Sequence, residues 1–188
     1  LKGVKEASIF LGNGSDEAID LLIRAFCEPR EDSILIFTPT YGMYQISADI
    51  NAIETVEIPL TTDFQIDVES ASKIDAKVTF ICSPNNPTGN DMDTQIVESI
   101  LRTSKGLVII DEAYIDFSKR KSWTERLEEF PNLVVLQTFS KAYGMASIRL
   151  GMAFANEEIV SILNKIKLPY NVNGLTQNYA LQALENKE

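Results

Sequence analysis

The stretch LVIIDEAY, residues 107–114, decides the fold because it joins a short apolar run to a cluster of polar and aromatic side chains. Leu107–Ile110 is rich in β-branched residues and is bounded by turn residues, as buried strands are. Asp111 follows directly, and a carboxylate at that point is costly to bury without a cationic partner. The stretch predicts a buried strand followed by a functional carboxylate, although Asp111 alone could also be the N-cap of a helix.

The same pattern recurs on both sides of this stretch. Four further short apolar runs predict strands at Ser33–Phe37, Val78–Cys82, Leu133–Leu136 and Gly151–Ala155. Apolar residues at helical spacing predict helices at Asp16–Phe26, Asp93–Leu101 and Glu157–Lys167. Strands that are apolar on both faces and alternate with helices are typical of an α/β protein, so we expect three αβα layers with a mostly parallel sheet.

Composition restricts the classes of function. The 188 residues are enough for one domain, and the net charge of −10 argues against nucleic-acid binding. The sequence has no histidine, which excludes His-based triads and His-ligated metal sites, and we expect no metal. Cys27 and Cys82 lie in apolar surroundings and predict buried free thiols of a cytoplasmic protein. No signal peptide or membrane-spanning run is found, so we expect no membrane partner.

In an open parallel sheet, ligands bind beyond the carboxyl ends of the strands. The segments that follow the predicted strands bring Tyr41, Asn85–Gly89, Asp111–Tyr114 and Ser140-Lys141 to that edge, and Gly12–Asp16 opens the first helix. Each feature alone has a simpler explanation. Lys141 could be a surface lysine, Asn85–Gly89 a tight turn, and the tyrosines core packing.

Together, however, these residues supply complementary chemistry. Lys141 is an amine that can attack a carbonyl, and Asp111 is a partner for a protonated ring nitrogen. Asn86 and Tyr114 can donate hydrogen bonds to a phenolate, and Tyr41 can stack on a ring. An anion site is expected from the helix start at Ser15 and Asp16, which offers backbone amides, and from two side chains, those of Ser140 and Arg149. This combination fits pyridoxal 5'-phosphate (PLP).

Longer motifs carry a family resemblance. Asn86–Gly89 (NPTG), Asp111–Tyr114 (DEAY) and Thr138–Gly151 (TFSKAYGMASIRLG) resemble motifs of the fold-type I PLP-dependent aminotransferases of class I and II. Gly12–Glu17 (GNGSDE) and Pro39–Tyr44 (PTYGMY) are similar to the histidinol-phosphate branch of that family. The resemblance covers nearly the whole chain, and it implies the large PLP-binding domain of that fold.

The resemblance also assigns roles to residues. It implies that Lys141 forms the Schiff base and moves the proton, that Asp111 pairs with the pyridine nitrogen, and that Tyr41 stacks on the ring. Asn86 and Tyr114 would hold the phenolic oxygen. The phosphate cup would consist of Ser15, Asp16, Ser140 and Arg149, and Asn171 would lie near the substrate.

The implied reaction is amino transfer between L-histidinol phosphate or imidazole-acetol phosphate and glutamate or 2-oxoglutarate, by a homodimer. The implied domain is residues 1–168, with residues 169–188 beginning the connection to a small domain. We interpret the chain, which starts at Leu1 without methionine and ends at Glu188, as a fragment without the N-terminal arm or the small domain, and we expect weak or no turnover from it alone.

Three alternatives stay open at this point. A phospho-amino-acid decarboxylase and a non-catalytic PLP-binding sensor domain would both use the same cofactor residues. A Rossmann-type nucleotide binder is the third, but the sequence has no G-x-G-x-x-G after its first predicted strand.

Overall fold

The computed structural model describes residues 3–185. Both termini, Leu1 and Glu188, lie outside the described residues. Within this range, seven strands form one sheet in the order β1-β7-β6-β5-β4-β2-β3. The strands are β1 (Ile9–Asn13), β2 (Ser33–Thr38), β3 (Glu54–Pro59), β4 (Val78–Cys82), β5 (Leu107–Asp111), β6 (Leu133–Thr138) and β7 (Leu150–Phe154). Strand β7 is antiparallel to both of its neighbours, and the other pairs are parallel. The predicted mostly parallel sheet is confirmed.

Helices cover both faces of the sheet. The described residues form α1 (Ser15–Phe26), α2 (Met43–Ile50), α3 (Val68–Ala71), α4 (Thr94–Thr103), α5 (Glu157–Ile166) and α6 (Gly174–Glu185). One apolar core lies between the sheet and helices α1, α2 and α5, and a second lies between the opposite face and α3, α4 and α6. This is the predicted three-layer αβα arrangement.

Local capping explains where the predicted helices begin. Asp93 is the N-cap of α4 rather than its first residue, because its carboxylate accepts hydrogen bonds from the Gln95 and Ile96 amides. Asn156 caps α5 in the same way, through the Ile159 amide at 2.9 Å. Such side chains satisfy amides that have no partner inside the helix.

The register of the parallel strands aligns the carboxyl ends that form the site. Asp111 is the last residue of β5 and lies between Cys82 of β4 and Leu136 of β6. Strand β6 is longer than predicted, because the buried Gln137 and Thr138 continue its ladder. Lys141 therefore lies three residues beyond the end of β6. Among the described residues, we find no helix that is long and apolar enough to cross a bilayer.

Candidate active site

All nine residues predicted to bind the cofactor line one pocket at the carboxyl edge of β4, β5 and β6. They are Ser15, Asp16, Tyr41, Asn86, Asp111, Tyr114, Ser140, Lys141 and Arg149. Cys82, Ala113, Thr138 and Ala146 complete its lining. The structure therefore brings together residues that are up to 134 positions apart in the sequence, from Ser15 to Arg149, while their individual roles stay predictions.

One end of the pocket is suited to an anion. Helix α1 begins there at Ser15, and Gly14 before it has a φ of 80°, which favours glycine. The Gly14 amide donates to the Arg149 carbonyl at 2.9 Å, and the Arg149 guanidinium lies 3.3 Å from Asp16 Oδ2. A helix start with its unpaired amides and a forked guanidinium is a suitable phosphate site.

Close packing holds this anion site in shape. A Cβ at Gly14 would lie 2.5 Å from Arg149 Nη2, so the backbone and the guanidinium fit only because residue 14 is glycine. Ser140 reaches the same end from the loop after β6, where the Thr138 hydroxyl donates to Ser140 Oγ at 3.0 Å. The Ser140 amide donates in turn to Thr138 Oγ1 at 3.1 Å. Thr138, which the sequence analysis did not select, thus fixes the turn that carries Lys141.

Asp111 lies at the floor of the pocket and is only 2% exposed. Its Oδ2 accepts from the Tyr44 hydroxyl at 2.7 Å, and its Oδ1 accepts from the Ala113 amide at 3.0 Å. Burial raises the pKa of Asp111 above its usual value, although both hydrogen bonds act in the opposite direction. A buried carboxylate with two donors and this desolvation cost is well suited to a cationic ligand.

Lys141 lines the same pocket as Asp111 and is exposed. Its Nζ is 5.1 Å from the centre of the Tyr114 ring. The backbone turns sharply here, since the Gly144 amide donates to the Lys141 carbonyl at 2.9 Å. The pocket is therefore lined by both an exposed amine and the buried Asp111 carboxylate.

The Tyr41 and Asn86 loops are held together by Asn85. Asn85 is 2% exposed, donates to the Pro39 carbonyl at 2.9 Å and accepts from the Thr40 hydroxyl at 3.0 Å. Tyr41 itself donates to Asp16 Oδ1 at 3.0 Å, and burial together with this carboxylate raises the pKa of Tyr41 to about 12. Asn85 could not be selected from the sequence, because its partners Pro39 and Thr40 are 46 and 45 positions away.

Asn171 lies outside this pocket. Its side-chain amide donates to the Leu11 carbonyl at 2.9 Å and to Glu17 Oε2 at 3.0 Å, and it lines a separate apolar groove beside α6. Its contact with a substrate stays a prediction. In residues 3–185, no group of three or more cysteines, aspartates or glutamates is arranged to hold a metal ion.

The chemistry of the lining fits PLP. It combines the start of α1 and the Arg149 guanidinium, the buried Asp111 carboxylate, the Asn86 amide, and a Lys141 amine whose Nζ lies over the Tyr114 ring. A neutral or purely apolar ligand would leave the Asp111 carboxylate buried without a cation.

Comparison with known proteins agrees with this geometry. The family model described as aminotransferase class I and II matches residues 1–188. A histidinol-phosphate aminotransferase of Cytophaga hutchinsonii is 59% identical over 99% of this chain and 54% of that relative. One from Parabacteroides distasonis is 55% identical over 100% of this chain and 55% of that relative. The chain thus spans about half the length of the curated relatives it matches.

The solved structures agree as well. The histidinol-phosphate aminotransferase of Clostridium acetobutylicum is 29% identical and superposes with a TM-score of 0.85 over 95% of this chain and 55% of that one. The sequence motifs, the sheet and the pocket all agree with a family model that spans the chain. This protein therefore belongs to the class I and II aminotransferases.

Proposed function

We propose that this chain carries the cofactor site of a PLP-dependent aminotransferase that transfers an amino group between L-histidinol phosphate or imidazole-acetol phosphate and glutamate or 2-oxoglutarate. The observation that carries the proposal is the convergence of Lys141, Asp111 and the Arg149 anion site in one pocket. The names of the relatives from Cytophaga and Parabacteroides support the substrate.

When bound, PLP would supply an aldehyde that links covalently to amines and a ring that accepts electrons. Asp111 would hold the ring nitrogen in its protonated form, since a buried carboxylate gains most from a cationic partner. Tyr41 would cover one face of the ring, and Asn86 and Tyr114 would donate to its phenolic oxygen. The phosphate would be held by the start of α1, at Ser15 and Asp16, together with Ser140 and Arg149.

Lys141 would have two tasks. Its Nζ would hold the cofactor covalently, and as a free amine it would be the acid and base that moves the proton in amino transfer. The amine is suited to the second task because Lys141 is exposed and lines the same pocket as Asp111.

The wider organisation is part of the same proposal. We infer that residues 1–168 form the cofactor-binding domain, that residues 169–188 begin the connection to a small domain, and that the full-length protein is a cytoplasmic homodimer. The buried thiols Cys27 and Cys82 support a reducing compartment. Light scattering of the full-length protein tests the homodimer.

Chemical labelling tests the central assignment. The protein is mixed with PLP, its visible absorbance is recorded, and the linkage is reduced with borohydride and mapped by peptide mass spectrometry. We expect the label on Lys141 and none after Lys141→Ala. Lys105→Ala is the matched control, because Lys105 pairs with Asp75 near the opposite edge of the sheet. A label on another lysine of the wild-type protein would overturn the proposal.

Substrate assays test the reaction. We expect the full-length protein to form imidazole-acetol phosphate and glutamate from histidinol phosphate and 2-oxoglutarate. Release of carbon dioxide without amino transfer would instead indicate a phospho-amino-acid decarboxylase, and PLP binding without turnover of either kind would indicate a sensor domain.

A further inference from the structure

A tyrosine outside the pocket makes the shortest side-chain contact with its floor. Tyr44 is 0% exposed and does not line the pocket, yet its hydroxyl donates to Asp111 Oδ2 at 2.7 Å. We propose that Tyr44 is a positioning residue that keeps the Asp111 carboxylate ionised and aimed at the ring nitrogen of the cofactor. This inference rests on the proposed PLP site and adds a residue that acts on the cofactor only through Asp111.

Two aromatic neighbours fix the orientation of the Tyr44 ring. It stacks on Phe80 with ring centres 4.6 Å apart and planes 13° apart, and it meets the Tyr41 ring edge-on at 5.6 Å. Tyr44 also lies in the first turn of α2, whose direction is fixed by the first apolar core. The hydroxyl therefore has one orientation, towards Asp111, and it fixes the carboxylate in turn.

The direction of the hydrogen bonds gives Tyr44 its effect. Asp111 accepts two hydrogen bonds, one from the Tyr44 hydroxyl and one from the Ala113 amide, and donors stabilise an ionised carboxylate. Desolvation raises the pKa of Asp111. The hydrogen bond from the Tyr44 hydroxyl is the largest of the effects that lower this pKa. Besides Tyr44, the charged and titratable groups that face Asp111 are Asp16 from α1, Tyr41, Cys82 from β4 and Lys141.

A weaker donor at position 44 would make the carboxylate more basic. The proton shared between Asp111 and the ring nitrogen would then move towards Asp111, and the ring would lose its positive charge. A ring without that charge withdraws fewer electrons from the Lys141 linkage, so the linkage keeps its proton to higher pH. Tyr44 should thus be visible in the pH dependence of the cofactor's absorbance as well as in activity.

The test compares two changes of opposite sign in the full-length protein loaded with PLP. Tyr44→Phe removes one oxygen and keeps the stacking on Phe80, and we expect the pH midpoint of the visible absorbance change to rise. Site-specific replacement of Tyr44 by 3-fluorotyrosine gives a stronger donor of nearly the same shape, and we expect the midpoint to fall. We also expect Tyr44→Phe to bind PLP about tenfold more weakly, the size of one hydrogen bond to a charged group.

Controls separate this effect from packing. Tyr143→Phe removes a hydroxyl from a ring stacked on Phe139 at 4.4 Å and should leave the midpoint unchanged. In the Asp111→Asn background, Tyr44→Phe should no longer shift the midpoint, because the group it acts on is gone. A thermal midpoint of each apo variant records any loss of stability separately.

The outcomes are distinct. If wild-type protein gives no cofactor absorbance, the proposed function itself fails. If the wild type binds PLP but Tyr44→Phe and fluorotyrosine leave the pH midpoint in place, or shift it in the same direction, the positioning role of Tyr44 is wrong. If Tyr44→Phe does not fold, the fluorotyrosine shift alone decides.

Discussion

Arg149 joins the backbone of the α1 start to the anion end of the pocket. It has a φ of 52°, its carbonyl accepts from Gly14, and its guanidinium reaches Asp16. Lysine keeps the charge but cannot present two parallel donors to a phosphate. We expect Arg149→Lys to bind PLP about tenfold more weakly, the equivalent of one charge-assisted hydrogen bond.

Fluorescence titration of the apo protein with PLP measures the affinity of this variant. Arg24→Lys is the matched control, because Arg24 makes a surface ion pair with Asp20 at 3.5 Å on the same helix. Equal loss of affinity in both variants would contradict a specific role for Arg149.

The two thiols give a second prediction for single residues. Burial raises the pKa of Cys82 to about 12 and that of Cys27 to about 11. Because the thiolate is the reactive form, and pH 8 lies well below both values, we expect iodoacetamide to alkylate neither thiol at an appreciable rate in the native protein. The same chain in concentrated urea should react quickly at both positions, as read by mass spectrometry. Rapid native alkylation of Cys82, which lines the pocket, would show that the floor opens.

Among the elements, β7 and α1 meet so closely that one residue of the strand must be glycine. A Cβ at Gly151 would clash with backbone atoms of Gly14 and Ser15. Backbone atoms cannot move aside as a flexible side chain can, so the start of α1 would have to shift. We expect Gly151→Ala to lower the free energy of unfolding by about 1–3 kcal/mol, as overpacked sites do, and to weaken PLP binding as well.

Gly174→Ala is the matched control for this change. Gly174 begins α6, and a Cβ there would meet no atom within 4 Å. Alanine favours helix over glycine, so the control should be neutral or slightly stabilising in urea unfolding. The role of the β7–α1 contact would be contradicted if both variants unfolded at the same urea concentration as the wild type.

The elements also indicate what a single sequence can reveal. Strands β2, β4, β5 and β6 were predicted because both of their faces are buried, which leaves a continuous apolar run. The edge strands β1 and β3 were missed. In ETVEIP, which forms β3, polar residues alternate with apolar ones because one side of the strand faces solvent. Helix α2 was missed because eight residues give too few turns for a clear period.

The same limit applies to the site. Tyr41, Asn86, Asp111, Tyr114, Ser140 and Lys141 could be predicted because each ends or follows a predicted strand, where the topology of a parallel sheet converges. Tyr44 and Asn85 could not, because they act from behind the lining on Asp111 and on the Tyr41 loop. Their partners are 67 and 45 positions away in the sequence, and no local spacing connects such residues.

For the molecule as a whole, the buried Asp111 carboxylate that suits the cofactor lowers the folding stability of the apo protein when it is ionised. Burial raises the pKa of this carboxylate above the 3.8 expected when the chain is unfolded. Between these two values the native state binds a proton that the unfolded state does not, so stability falls as the pH rises. Above the raised pKa the loss is complete, at about 1.4 kcal/mol for each unit by which the two pKa values differ.

Asp111→Asn should remove this cost, since the amide is neutral at every pH and has nearly the same shape. We therefore expect the apo variant to be more stable than wild type at pH 8, with the advantage shrinking as the pH falls through the raised pKa towards 3.8. Urea unfolding of both apo proteins across this range measures the difference. PLP should reverse the order at pH 8, because it stabilises the wild type by mass action and binds the variant weakly. A constant difference between the apo proteins at all pH values would contradict a buried Asp111 that is ionised at pH 8.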